Sequence, residues 1–198
     1  MTLAVRLRRA LDAGNRAHPE LLTGDLAALE LEGAGPETEA AVLIAVTDRA
    51  SPGVLLTRRA DTLSNHAGQV AFPGGRIDPG DDGPVSAALR EAQEEIGLPR
   101  DAVTVIGPVD RYRTVTRFAV TPVLGVVAPD LPLVPAEAEV AEVFEAPLDF
   151  ILDPANQRRT SHRWQGRDRH YYQIDWQGRR IWGATAAMLV NLSRRLAW

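Results

Sequence analysis

Glu91, Glu94 and Glu95 fall within five positions of "REAQEEIGL" (90–98), behind Arg90 and ahead of Gly97. On a helix, residues three and four apart share a face, so this spacing gathers three carboxylates. Exposed like charges so placed repel by roughly 0.2–0.5 kcal/mol per pair. A divalent cation removes that repulsion, and hard cations such as Mg²⁺ take oxygen ligands. Arg90, four before Glu94, can orient that carboxylate from behind. Glutamates at this spacing beside an arginine are more commonly a solvated face. The nine residues alone leave both readings open.

The flanking sequence supplies what a site needs around such a helix. "GGRIDPGDDGPVSAALREAQEEIGL" (74–98) reads as a strand end, a Gly-Gly turn, an acidic loop, a helix and a glycine stop. Pro84 suits the first helical turn, with Asp81 and Asp82 at the positive end of the dipole. Gly97 suits the position after the last turn, and Pro99 follows it. A Gly-Gly turn lets backbone groups approach a ligand closely. Upstream, "AAVLIAVTD" (40–48) and "GVLLTRR" (53–59) predict a hairpin, and "QVAFPGG" (69–75) a further strand. Downstream, strands are expected at 102–109 and 118–127. A loop, short strand and short helix follow over 137–152, then a hairpin from 159–165 and 170–176. "GATAAMLVNLSRRL" (183–196) predicts a closing amphipathic helix. Leu3, Leu7 and Leu11 predict an opening one. Residues 14–37 read as a connector with a helical turn at "DLAALELE". There is no internal repeat. Strands and helices mix without regular alternation, so an α/β fold is expected, an α/β/α sandwich with a mixed sheet between helices.

The 74–98 stretch resembles the Nudix box, G-x5-E-x7-R-E-U-x-E-E-x-G-U with U apolar. Gly75, Arg90, Glu91, Ala92, Glu94, Glu95, Gly97 and Leu98 match. Asp82 stands eight before Arg90, where the box has its first glutamate, with six residues rather than five between it and Gly75. The resemblance implies a Nudix fold with N- and C-terminal helical extensions, and hydrolysis of a diphosphate linked to another moiety. It implies Mg²⁺ or Mn²⁺ on Glu91, Glu94 and Glu95, with the Gly75 carbonyl completing the set and Arg90 and Glu94 serving the catalytic centre. Nudix enzymes often place an acid in a later loop. Glu139 is the candidate general base, and Glu142 its rival.

"LLTRRADTLSNHAGQVAFPGG" (55–75) resembles the extra signature of the coenzyme A pyrophosphatase branch, L-L-T-x-R-S-x3-R-x-H-x-G-x3-F-P-G-G. Leu55, Leu56, Thr57, Arg59, His66, Gly68, Phe72, Pro73, Gly74 and Gly75 fit it, while Ser64 replaces the branch's usual arginine. The resemblance implies cleavage of coenzyme A or its thioesters to 4′-phosphopantetheine and adenosine 3′,5′-bisphosphate. Substrate contacts are expected from Arg58, Arg59, His66, Gly68 and Gly74, since arginine meets phosphate bidentately. Arg58 and Arg59 could equally be a solvated strand end, and His66 a turn residue. Arg158, Arg159, Arg163, Arg167 and Arg169 form a second basic group, either solvated or facing substrate. Other nucleoside diphosphate derivatives (ADP-ribose, NADH, dinucleoside polyphosphates) and a non-catalytic nucleotide sensor are the alternatives.

Composition narrows the partners. The 198 residues carry a net charge of −4, and all 22 basic residues are arginine. No uniformly basic surface for nucleic acid is expected. The absence of cysteine excludes disulfides and thiolate metal sites and suits a reducing, cytoplasmic setting. No apolar run reaches the roughly 20 residues that span a bilayer. The expected organisation is a single domain over 1–198. It has an opening helix and connector (1–37), a core (38–150), and a hairpin and helix (151–198) packed on that core. A small-molecule substrate is the partner, with room for a homodimer.

Overall fold

The computed structural model describes residues 1–24, 36–164 and 167–197. The turn expected at "DLAALELE" lies outside them, as do the side chains of Trp164, Arg167 and Arg169. The main sheet contains β1 (Thr38–Thr47), β2 (Gly53–Arg59), β3 (Val70–Ala71), β4 (Gly74–Arg76), β5 (Val103–Pro108), β6 (Tyr112–Arg113), β7 (Phe118–Val127) and β8 (Val140–Pro147). Its central path is β3-β2-β1-β7-β5, with β4 on β1, β6 on β7 and β8 on β2. β1 runs parallel to β7 over ten pairs, from Thr38↔Phe118 to Thr47↔Val127. The other pairings are antiparallel, so the sheet is mixed.

β1 shows how the layers form. Side chains alternate between faces along a strand. Ala41, Leu43 and Ala45 face one way and pack with Ala87, Ala88, Ala92 and Ile96 of helix α2 (Gly83–Ile96). Ala40, Ile44 and Val46 face the other way, toward α1 (Leu3–Ala17), α3 (Leu148–Leu152) and α4 (Gly183–Leu196). Alanine on both the sheet and α2 lets that helix lie close to the strands. The expected α/β/α sandwich is thus the observed architecture.

α1 buries Leu3, Leu7 and Leu11, the stripe its sequence predicts, together with Gly14. A side chain on Gly14 would land on the carbonyl oxygen of Arg195, so the α1–α4 crossing requires glycine there. Arg195 is buried and pairs with Asp110 while donating to the Gly14 carbonyl. β9 (Arg158–Trp164), β10 (Arg167–Trp176) and β11 (Arg179–Trp182) form a second, antiparallel sheet.

Two expectations need correction. The strand expected over 69–75 is two short strands, because Phe72 and Pro73 leave the ladder between them and Pro73 has no N–H to donate. The hairpin gains a third strand, β11, unforeseen because half of "RRIW" is arginine. Among the described residues no helix is long and apolar enough to cross a membrane.

Candidate functional site

The box arginine organises the loop before its helix. Arg90 Nε and Nη2 donate to the two Asp81 carboxylate oxygens at 3.1 and 2.9 Å. Nη2 also donates to the Arg76 carbonyl at 3.0 Å. Nη1 donates to Glu91 and to Glu94, each at 2.9 Å. The bond to Asp81 is the chief cause that raises the Arg90 pKa and lowers that of Asp81. Asp81, not Asp82, therefore takes the ion pair; its side chain is 4% exposed. Asp82 is exposed at the helix start and makes no side-chain cap. Residues 78–82 curl back, with the Asp81 N–H on the Asp78 carbonyl and the Asp78 N–H on the Asp81 carboxylate, both 2.9 Å. Counting back from Arg90 points to Asp82; counting six on from Gly75 would have found Asp81.

The three glutamates are not equivalent. Glu94 is mostly exposed, 58% at its side chain. Glu91 is at 17% and Glu95 is buried. Glu95 accepts from the Gly74 N–H at 3.1 Å. Burial pushes the Glu95 pKa up to about 7, with the Glu91 and Glu139 charges adding to it and Gly74 and Arg59 opposing it. Glu91 is raised as well, first by burial. Gly75 is tight against this group, since a Cβ there would sit 2.5 Å from Glu91 Oε1. Gly74 pairs with Val42 of β1 at φ +157°, where a Cβ would collide with the Ala41 carbonyl. Glycine at 75 lets the strand lie against Glu91, and glycine at 74 lets it lie against β1.

These features fit a divalent cation. Two sheltered carboxylates lie close enough for the Glu91 charge to raise the Glu95 pKa, and only Glu91 has an arginine hydrogen bond. Hard oxygen donors of this kind suit Mg²⁺ or Mn²⁺. As posed, Glu91 and Glu94 both turn to Arg90, and among the described residues no three His, Cys, Asp or Glu side chains form a ready cage.

Arg58 and Arg59 are adjacent and face opposite ways. Arg58 pairs with Asp61 at 3.0 Å and approaches Glu142 at 3.9 Å. Glu142 also pairs with Arg179, whose guanidinium stacks on Phe144 at 4.5 Å. Arg59 acts instead on Glu95, and its buried Nε has no hydrogen-bond partner among the described residues. Glu139 lies within electrostatic reach of both Glu91 and Glu95. Its loop is held there, with the Ala60 N–H on the Glu139 carbonyl at 2.9 Å and the Ala136 N–H on the Glu95 carbonyl at 2.8 Å. The structure so brings together Gly74, Gly75, Arg90, Glu91, Glu95, Arg59 and Glu139. It directs Arg58 and Glu142 elsewhere. His66 is exposed at φ +58°, with Nδ1 3.1 Å from Gln69 Oε1, a turn position. Gly68, at φ +68°, closes that loop by donating to the Arg59 carbonyl at 3.2 Å.

Residues 37–165 match the NUDIX domain family. A protein named as an uncharacterized Nudix hydrolase NudL, from Cronobacter sakazakii, is 45% identical over 168 residues, 81% of this chain and 83% of that one. The NudL of Salmonella paratyphi B shows the same identity and coverage. Among solved structures, the Nudix hydrolase RenU of M. smegmatis superposes with a TM-score of 0.51 at 30% identity, over 62% of this chain and 79% of that one. Enzymes of this family hydrolyse nucleoside diphosphate derivatives and generally use divalent metal ions such as Mg²⁺. A match over most of the chain, relatives of nearly the same span and a box helix set against its Gly-Gly turn converge: the chain belongs to the Nudix hydrolase family.

Proposed function

We propose that this Nudix hydrolase cleaves the diphosphate of coenzyme A or its thioesters, releasing 4′-phosphopantetheine or its acyl form and adenosine 3′,5′-bisphosphate. The observation that carries the reading is Arg59, a half-buried arginine whose buried Nε has no hydrogen-bond partner among the described residues, within electrostatic reach of Glu95 at the end of the strand that opens the 55–75 signature. An unpaired buried donor is costly, and a substrate phosphate would satisfy it.

Glu91 and Glu95, with Glu94 and the Gly75 carbonyl, would hold Mg²⁺ or Mn²⁺. The bound ion supplies neutralisation of the diphosphate and acidifies water. Arg90 keeps Glu91 and Glu94 on one side of the helix. Glu139 takes the proton of the attacking water; its position beside Glu91 and Glu95 favours it over Glu142, which Arg179 and Arg58 engage. Gly68 and His66 shape the loop over the phosphates.

One observation favours a second substrate class. Ser64 is exposed where the branch has arginine, and Arg58 is engaged by acids, so two cations that could meet the 3′-phosphate of coenzyme A are missing or taken. Nucleoside diphosphate derivatives lacking that phosphate, such as ADP-ribose or NADH, need none. The test is a substrate panel in Mg²⁺ and in Mn²⁺, with products separated by chromatography. Preferential cleavage of coenzyme A is expected. Cleavage of ADP-ribose or NADH but not of coenzyme A would replace the first reading with the second.

A further inference from the structure

The second basic group of the sequence divides along β9. Arg158 ion-pairs with Asp175 at 2.8 Å. Arg159 faces the other way, because side chains alternate along a strand, and among the described residues no acid engages it. Its cross-strand partner is Tyr172, and Ser161 on the same face pairs with His170. That face is turned toward α4. Ile174, two beyond Tyr172, joins the core there, and Arg194 of α4 donates from Nη2 to the Tyr172 hydroxyl at 3.3 Å.

A cavity of about 680 Å³ lies between this face, α4 and the segment that follows α1. Its size is in the middle of the range for small-molecule sites. The segment is fastened in place. Asn191, 2% exposed, donates to the Leu22 carbonyl and accepts from the Leu22 N–H, both at 2.8 Å. Arg194 Nη1 donates to the Glu20 carbonyl at 2.9 Å.

The walls carry charge that nothing in them cancels. Arg159 and Arg194 both line the cavity, with His170 beside them. Arg194 is held by a carbonyl and a hydroxyl, which are neutral acceptors, so its cation is oriented without being neutralised. The Tyr172 hydroxyl, an acceptor there, keeps its own proton for a ligand. Glu20 is the one acid among the described lining residues, and its side chain is exposed. Leu22 and Ala187 add apolar wall. In a chain of net charge −4, such a cavity selects an anion. Arginine meets phosphate through paired N–H donors. A bare phosphate would leave most of the volume empty, and the apolar wall suits an organic body attached to it.

We propose that this cavity is a binding site for a small organic phosphate, separate from the reaction centre. None of the residues gathered around Glu95 lines it. Arg159 and Arg194 take the phosphate from two sides, Tyr172 donates its hydroxyl, and the organic body rests on Leu22 and Ala187. The ligand joins the second sheet, α4 and the segment after α1.

The experiment titrates AMP and phenyl phosphate into the full chain in excess EDTA, by calorimetry, with adenosine as the control that lacks phosphate. Wild type should bind both phosphates, and adenosine at least tenfold more weakly than AMP. Arg159→Gln, at an exposed position without an ion pair among the described residues, should keep the fold and weaken AMP binding at least tenfold. His170→Glu, which adds an acid to the wall at another exposed position, should do the same. Arg59→Gln, at the reaction centre, should change AMP affinity less than twofold. Binding of neither phosphate by wild type overturns the site. So does equal affinity for adenosine and AMP, or a loss that follows Arg59→Gln and spares Arg159→Gln. The hydrolase reading stands under each of these results, since the substrate panel decides it separately.

Discussion

The two faces of the main sheet are built for different ends. On the α1 and α4 side, large side chains such as Leu7, Ile44, Leu56, Leu124 and Leu189 are fully buried and continuous. On the α2 side the contact is rich in alanine, and at its edge sit Glu95, half-buried Glu91 and an arginine whose Nε is unpaired among the described residues. Buried charge without a full set of partners costs stability. The first face supplies the apolar burial that allows the second to carry that cost. The difference teaches where chemistry can be placed: against a thin, rigid layer whose opposite side is a thick core.

The contrast can be broken at either face. Leu189→Ala removes a fully buried side chain from the thick face and should lower unfolding free energy by about 2–5 kcal/mol, read by urea denaturation, with kcat of the folded enzyme unchanged. Glu95→Gln should do the reverse. Turnover should fall by about 100-fold or more, roughly 2.7 kcal/mol of barrier, while the urea midpoint holds or rises because a buried charge is gone. A fall in stability without loss of turnover would show that Glu95 is structural.

Neighbouring aspartates sharpen the contrast further. Asp81→Ala strips Arg90 of its bidentate partner and should lower kcat/KM by about 10–100-fold. Asp82→Ala, which loses an exposed side chain with no cap bond, should change it by less than about twofold, since exposed positions of this kind contribute little. Glu95 also sets a pH dependence. The Glu95 carboxyl has an ordinary pKa of 4.5 unfolded and about 7 folded. Between those values the folded chain binds more protons than the unfolded chain. Stability in excess EDTA should therefore fall as pH rises through that window. Glu95→Gln should flatten the slope. Saturating Mg²⁺, which binds the ionised form, should flatten it too. An unchanged slope in Glu95→Gln assigns it to other groups.

Much of this was readable because the signals were local. Pro84 and Gly97 bracket α2, and the apolar spacing of 183–196 gives the bounds of α4 as observed. What was not readable depended on chain reversal or on partners distant in sequence. Asp81 is chosen over Asp82 because the loop curls through Asp78, and helical spacing cannot be counted through a loop. Strand alternation implies that Arg58 and Arg59 part company, but only β8 reveals that Glu142 takes the first while Glu95 awaits the second. For His66 the sequence left a substrate contact and a turn residue equally open, and its positive φ places it in a turn.

The parallel pairing of β1 with β7 also sets the order of assembly. Its first pair joins Thr38 to Phe118, 80 positions downstream. During synthesis, the box helix emerges before the strand that completes the sheet beneath it. Loop closure of that length must precede the contacts that reward it, which slows folding. The nascent carboxylate helix therefore waits without its full floor. Before the second central strand arrives, the molecule is at its most vulnerable to proteolysis and self-association.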